Sequence, residues 1–161
     1  RIDVRSVEGR GTEVTALFPA MRETFSKVAL EPSLEAYKGA GETILVVDDM
    51  NEQREIAAQI ITQLGYVAKS VDSGEQAVEF LKHDKADLLI LDMIMDPGID
   101  GLETYHRVKV SNPQQKAIIT SGYAETERVR TAQRLGAGGY LRKPYTVQNL
   151  AVAIKAELNR S

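Results

Sequence analysis

From Glu42 onward, short apolar runs alternate with amphipathic segments, five times over, and few folds accept that pattern. A run of about five apolar residues suits a strand, whereas apolar residues three and four apart line one face of a helix. Strict alternation of the two gives parallel strands joined by crossover helices, since a parallel partner is reached only by carrying the chain back along the sheet. The runs 44–48, 88–92 and 117–121 are apolar nearly throughout, as strands covered on both faces must be. The run 67–71 contains Lys69 and Ser70 and is expected at an edge; 139–141 supplies the fifth strand.

The helices between them have readable ends. The first spans about 51–64, with Ile56, Ala57, Ile60, Ile61 and Leu64 on one face and Gly65 as its stop. Ser73-Gly-Glu-Gln76 has the form of a capping box and opens a second helix that runs to about His83. A third covers about 101–110 and closes at Asn112-Pro113, and a fourth covers 125–135 with Gly136 as its stop. Thr146 opens the last, whose Leu150, Ala153, Ile154 and Leu158 form one stripe. The expected architecture is an α/β, doubly wound (βα)5 unit over residues 42–161.

Ahead of it, residues 2–18 read as a hairpin that turns at 8–12, and residues 21–41, with Pro32, Ser33, Gly39 and Gly41, read as a linker with a weak helix near 22–29. The chain begins at Arg1 with no signal segment and reads as cut from something longer. Composition excludes several classes. The longest apolar runs, such as Ile44-Leu45-Val46-Val47, fall far short of the roughly 20 residues of a membrane span. Without cysteine there is no disulfide, no thiolate metal site and no cysteine nucleophile. A net charge of −3 offers no basic field for nucleic acid.

In open α/β sheets ligands bind beyond the carboxyl ends of the strands, so the residues delivered there carry the chemistry. The first strand ends in Asp48-Asp49, the third in Asp92, the fourth in Thr120-Ser121, and the fifth leads to Lys143-Pro144. Three clustered carboxylates repel unless a cation lies among them, and a divalent ion with Lys143 balances their charge. Hard oxygen ligands without His or Cys nearby select Mg²⁺. Asp92 is then the expected nucleophile toward phosphorus, forming an acyl phosphate, with Lys143, the Ser121 hydroxyl and the Gly122 N–H facing the phosphoryl oxygens.

With these residues in place, 42–159 resembles the receiver domain of two-component response regulators: an acidic pair after strand one, an acceptor Asp after strand three, Ser/Thr after strand four and Lys-Pro after strand five. The resemblance implies a flavodoxin-like sheet of order 2-1-3-4-5 and a cis Lys143–Pro144 bond. It also implies a metal set of Asp48, Asp49, Asp92 and the Ile94 carbonyl, and a switch pair of Ser121 and Tyr140. The implied partner is a histidine kinase or a histidine phosphotransfer domain, with a second copy of the chain as a further candidate and no nucleic-acid or membrane contact. One departure stands out. The family usually reads D-x-x-M-P-x-x-D-G, whereas Asp92-Met-Ile-Met-Asp-Pro-Gly-Ile-Asp-Gly101 places the glycine nine positions on instead of eight, with Asp96 as the extra residue.

The hairpin, through Ile2, Val4, Ser6, Gly9, Gly11-Thr12 and Phe18-Pro19, resembles the last two strands of a histidine-kinase ATP-binding domain. That order implies a hybrid histidine kinase divided as hairpin 1–20, linker 21–41 and receiver 42–161, cytoplasmic at this end even where the parent is membrane-anchored. The fragment itself is expected to be no enzyme beyond Mg²⁺-dependent phosphorylation and dephosphorylation of itself. The alternative, a Mg²⁺-dependent phosphatase with an Asp nucleophile, wants a second Asp two positions after the first, where Ile94 stands. A flavodoxin-like cofactor binder wants a Ser/Thr/Gly-rich loop after strand one, where the chain has Asp48-Asp49-Met50-Asn51. His83, His106 and the series Arg128, Arg130, Arg134 are expected on solvated helix faces.

Overall fold

Residues 1–18, 33–123 and 127–160 are described by a computed structural model, in two units, 1–31 and 32–161. The first unit contains β1 (Ile2–Val7) and β2 (Gly11–Ala16), antiparallel, with Ile2 opposite Ala16 and Val7 opposite Gly11. The Arg10 N–H closes the turn onto the Val7 carbonyl at 2.9 Å. Ile2, Val4 and Val14 are exposed. The weak helix expected near 22–29 lies outside the described residues.

The second unit is built on five parallel strands: β3 (Thr43–Val47), β4 (Val67–Val71), β5 (Leu88–Asp92), β6 (Ala117–Ser121) and β7 (Tyr140–Arg142). Their order across the sheet, β4-β3-β5-β6-β7, is the expected 2-1-3-4-5. Every residue of β5 and β6 is buried, whereas β4, with Lys69 and Ser70, lies at the edge. Alternate residues feed two cores, because successive side chains of a strand point to opposite faces. Leu45, Val47, Leu89, Leu91 and Ile119 pack with Tyr105, Val108 and Val129; Ile44, Val46, Leu88, Ile90 and Ile118 pack with Ile60, Ile61, Leu150 and Ile154. Each such aliphatic side chain contributes about 1.5–3 kcal/mol on burial, which makes the sheet a firm platform for what its ends carry.

The helices are α1 (Asn51–Gln63), α2 (Gly74–His83), α3 (Gly101–Ser111), α4 (Glu127–Arg134) and α5 (Val147–Leu158). Gly65 after α1 and Gly136 after α4 have φ of +83° and +107°, the left-handed conformation that ends a helix and that a side chain disfavours. Thr146 caps α5 as expected, accepting from the Asn149 N–H at 3.1 Å, and Asp100 caps α3 from the Glu103 N–H at 3.0 Å.

Several expectations need correction. Ile56 is exposed: the buried line of α1 runs through Ala57, Ile60 and Ile61, and the neighbouring position turns away from it. Ser73 stands at the cap of α2 without a side-chain bond to the helix, so no capping box forms. The fifth strand is shifted one residue onward, to Tyr140–Arg142. In α5 the buried residues include Ala151 and Glu157, while Ala153 and Leu158 are half-buried. Residues 33–41, within the expected linker, are held against the second unit's sheet and helices. Leu34–Tyr37 is a 3-10 turn, Tyr37 packs on the second core, and the Gly39 N–H donates to the Leu64 carbonyl at 2.9 Å. The Tyr66 hydroxyl donates to the Tyr37 carbonyl at 2.9 Å and Lys155 Nζ to the Lys38 carbonyl at 3.0 Å. No helix among the described residues is long and apolar enough to cross a membrane.

Candidate functional site

Parallel strands in matched register bring their carboxyl ends to one edge of the sheet: Val47 lies beside Leu91, Asp92 beside Thr120 and Ser121 beside Arg142. Asp48 therefore emerges next to Asp92, 44 positions away in sequence. Asp48 and Asp92 are buried and Asp49 is exposed, and one oxygen from each of the three lies within 4.8 Å of the others. Lys143 Nζ donates to Asp92 Oδ2 at 2.8 Å and also to Asp48 Oδ2. The expected convergence of Asp48, Asp49, Asp92 and Lys143 is thus present.

The two buried carboxylates each have a main-chain donor. Asp48 Oδ1 accepts from the Met50 N–H at 3.1 Å, and Asp92 Oδ1 accepts from the Ile94 N–H at 3.4 Å. Burial pushes the Asp92 carboxyl above its ordinary range, and the Lys143 ammonium works against that shift. Three carboxylates and one ammonium leave two negative charges, and the oxygen-only donor set fits a hard divalent cation. The main chain carrying Asp92 is held tightly at α3, where a Cβ on Gly101 would lie 2.2 Å from the Asp92 carbonyl oxygen.

Ser121 is buried at the end of β6, and its Oγ accepts from the Tyr123 N–H at 3.3 Å. The Tyr140 hydroxyl donates to the Tyr123 carbonyl, which ties β7 to the loop after β6. The Lys143–Pro144 bond is cis as expected, and so is Asp96–Pro97, which was not. Ile94 and Tyr123, two positions after Asp92 and Ser121, are both exposed, at 52% and 68%. His83 and His106 are exposed, His83 against Glu79, so neither belongs to the site. Arg130 and Arg134 pair with Glu127 on a solvated face, but Arg128 reaches across to Asp100.

Sequence reasoning missed Arg54. It donates to the Asp48 carbonyl at 2.7 Å and the Asp49 carbonyl at 3.0 Å, fixing the main chain under the acidic pair. The signal was available, because a cation in the first turn of a helix opposes the macrodipole and needs a local acceptor. Tyr145, after Pro144, was missed as well. It is half-buried, and burial together with the charges of Asp48 and Asp92 pushes its hydroxyl up to about 12, keeping it neutral beside the acids.

A five-stranded parallel sheet of order 2-1-3-4-5, with an acidic trio and a lysine at its carboxyl edge, defines the phospho-accepting class of signalling domains. The chain belongs to the response regulator receiver domain family, which matches residues 44–155. It is 32% identical over 117 residues to sporulation initiation phosphotransferase F of Bacillus subtilis, covering 73% of this chain and 94% of that protein. Among solved structures, a CheY-like receiver domain protein from Methanospirillum hungatei superposes with a TM-score of 0.70 at 25% identity, covering 74% of this chain and 95% of that one. The N-terminal domain of a response regulator/sensory box/GGDEF protein from Carboxydothermus hydrogenoformans gives 0.68 at 26% identity, over 73% of this chain and 94% of that one. Receiver domains act in two-component signalling with histidine kinases or phosphotransfer proteins, and they generally bind Mg²⁺ at an acidic pocket such as the one formed here by Asp48, Asp49 and Asp92.

Proposed function

We propose that Asp92 accepts a phosphoryl group from the phosphohistidine of a histidine kinase or histidine phosphotransfer domain, and that the chain is a receiver of a hybrid histidine kinase. The observation that carries the first part is Lys143 Nζ, shared between Asp92 and Asp48 at the edge where the trio gathers. A carboxylate oxygen of Asp92 attacks phosphorus, the phosphorus–nitrogen bond breaks, and the electron pair leaves with the imidazole. Asp48, Asp49, Asp92 and the Ile94 carbonyl are the residues that would hold Mg²⁺, which when bound neutralises charge on the phosphoryl oxygens. Lys143 follows the transferred charge, being a donor that needs only a small movement to leave Asp92 for a phosphoryl oxygen.

Ser121 and the Gly122 N–H supply further donors on the β6 side. Tyr140, bonded to the Tyr123 carbonyl, senses any displacement of the loop that follows Ser121, so Ser121 and Tyr140 act as the switch. The hybrid-kinase reading rests on the exposed hairpin Ile2–Ala16 and its motif, with the hairpin closing the ATP-binding domain of the parent. Incubation with acetyl phosphate and Mg²⁺, followed by intact-mass analysis, tests the site: the wild type gains one phosphoryl group and Asp92→Asn gains none. An undiminished mass shift in Asp92→Asn refutes the assignment.

A further inference from the structure

The three carboxylates of the pocket are not held alike. Asp48 and Asp92 each accept from a main-chain N–H close in sequence and from Lys143, whereas the exposed Asp49 carboxylate has one hydrogen-bond donor among the described residues, the N–H of Asp96 at 3.4 Å from Oδ2. Asp96 is the residue by which the segment between β5 and α3 exceeds the usual family spacing. That segment is anchored at its other end. Glu75, in the first turn of α2, accepts from the Ile99 N–H at 2.9 Å. Gly98 has φ +119°, and a Cβ there would lie 2.8 Å from Glu75 Oε2, so the carboxylate rests against the bare Cα of the loop. Asp49, Asp72, Ser73, Asp96 and Pro97 line the open cavity between these two anchor points.

Building on the metal role assigned to Asp49 above, we propose that the lengthened segment is a positioning element for Asp49, with Glu75 as its positioning residue. An exposed carboxylate that must be oriented when the cation arrives gives up rotamer freedom at that moment, and a donor already in place removes part of that cost. Glu75 holds Ile99, only two residues, Pro97 and Gly98, separate Ile99 from Asp96, and the Asp96 N–H donates to Asp49. Partners that orient metal ligands are worth about 10–100-fold in metal affinity; Glu75 acts through a loop, so about 5–10-fold is expected of it.

The test is calorimetric titration of Mg²⁺ into the full chain and its variants, alongside intact-mass analysis of the acetyl phosphate product. Glu75→Ala, which removes the acceptor, and Gly98→Ala, which drives a methyl group into it, should each weaken Mg²⁺ binding about 5–10-fold. Glu75→Gln keeps an acceptor oxygen and should stay within about twofold of the wild type. At Mg²⁺ concentrations that saturate each variant, the extent of phosphorylation should return to that of the wild type, which shows the fold and acceptor intact. Wild-type affinity in both alanine variants, or an equal loss in Glu75→Gln, overturns the positioning role while a phosphorylated wild type leaves the acceptor assignment standing. A wild type that neither binds Mg²⁺ nor takes the phosphoryl group overturns the underlying site reading instead.

Discussion

Replacing Gly101 with alanine drives a methyl group into the main chain that carries Asp92. The new Cβ would lie 2.2 Å from the Asp92 carbonyl oxygen and 2.8 Å from Met93 Cα, and both are backbone atoms that cannot swing aside. Restoring a 3.4 Å contact moves the start of α3 by about 1.2 Å. That retreat stretches the Gly101 N–H bond to the Met93 carbonyl, already 3.3 Å long, and disturbs the Asp100 cap with its Arg128 partner. Overpacking of this kind costs about 1–3 kcal/mol and a lost cap about 1 kcal/mol, against a gain of about 0.5–1 kcal/mol from replacing glycine in a helix. The net loss is about 1–3 kcal/mol, read as a lower urea midpoint at unchanged slope. Because an acceptor displaced by about 1 Å loses in-line geometry, phosphorylation by acetyl phosphate should slow by about 100-fold, well beyond what partial unfolding explains. Gly122→Ala is the control for stability: among the described residues, its chain neighbours aside, nothing lies within 4 Å of its Cβ, and its midpoint should move by less than about 0.5 kcal/mol. A Gly101→Ala protein with wild-type midpoint and phosphorylation rate refutes the reasoning.

Two further outcomes follow from side chains already placed. Ile94 and Tyr123 carry no base beside the phosphoryl position, so the acyl phosphate should be long-lived, and Ile94→Asn with Tyr123→Glu should speed phosphate release in excess Mg²⁺ by about tenfold or more; an unchanged rate sinks the idea. Glu157 is held by burial above its ordinary range, with Arg160 opposing. A carboxyl raised on folding adds stability below the unfolded pKa of 4.5 and loses it as pH rises through the folded value, so Glu157→Gln should match or exceed the wild type at pH 7 and lose that advantage below pH 4.5, measured as urea midpoints at both.

What could be read from the sequence was what depends on strand burial alone. Leu88–Asp92 and Ala117–Ser121 are buried at every position, so their apolar runs announced them, and the residues ending those runs had to meet at the carboxyl edge. The meeting of Asp48, Asp49, Asp92 and Lys143 at that edge was legible for the same reason. Helix faces were less so, because Ile56 and Ala57 differ by one position and only the packing of Ile60 and Ile61 decides which of them turns inward. Ser73 matched a cap by residue type, yet the loop partner in that region is Glu75, which answers to Ile99, 24 residues on. Contacts between separate segments, like the buried carboxyl of Glu157 against Gly138, leave no periodic trace in a chain.

The docking of residues 33–41 has a consequence for traffic around the domain. Gly39 is bonded at Leu64 and Glu42 at Val67, at the amino edge of the sheet, while Asp92 and its companions open at the carboxyl edge. The segment is therefore moored at one edge of the sheet and the acidic trio opens at the other. A pull on the segment reaches α5 through Lys38 and Lys155, from the edge opposite the acidic trio.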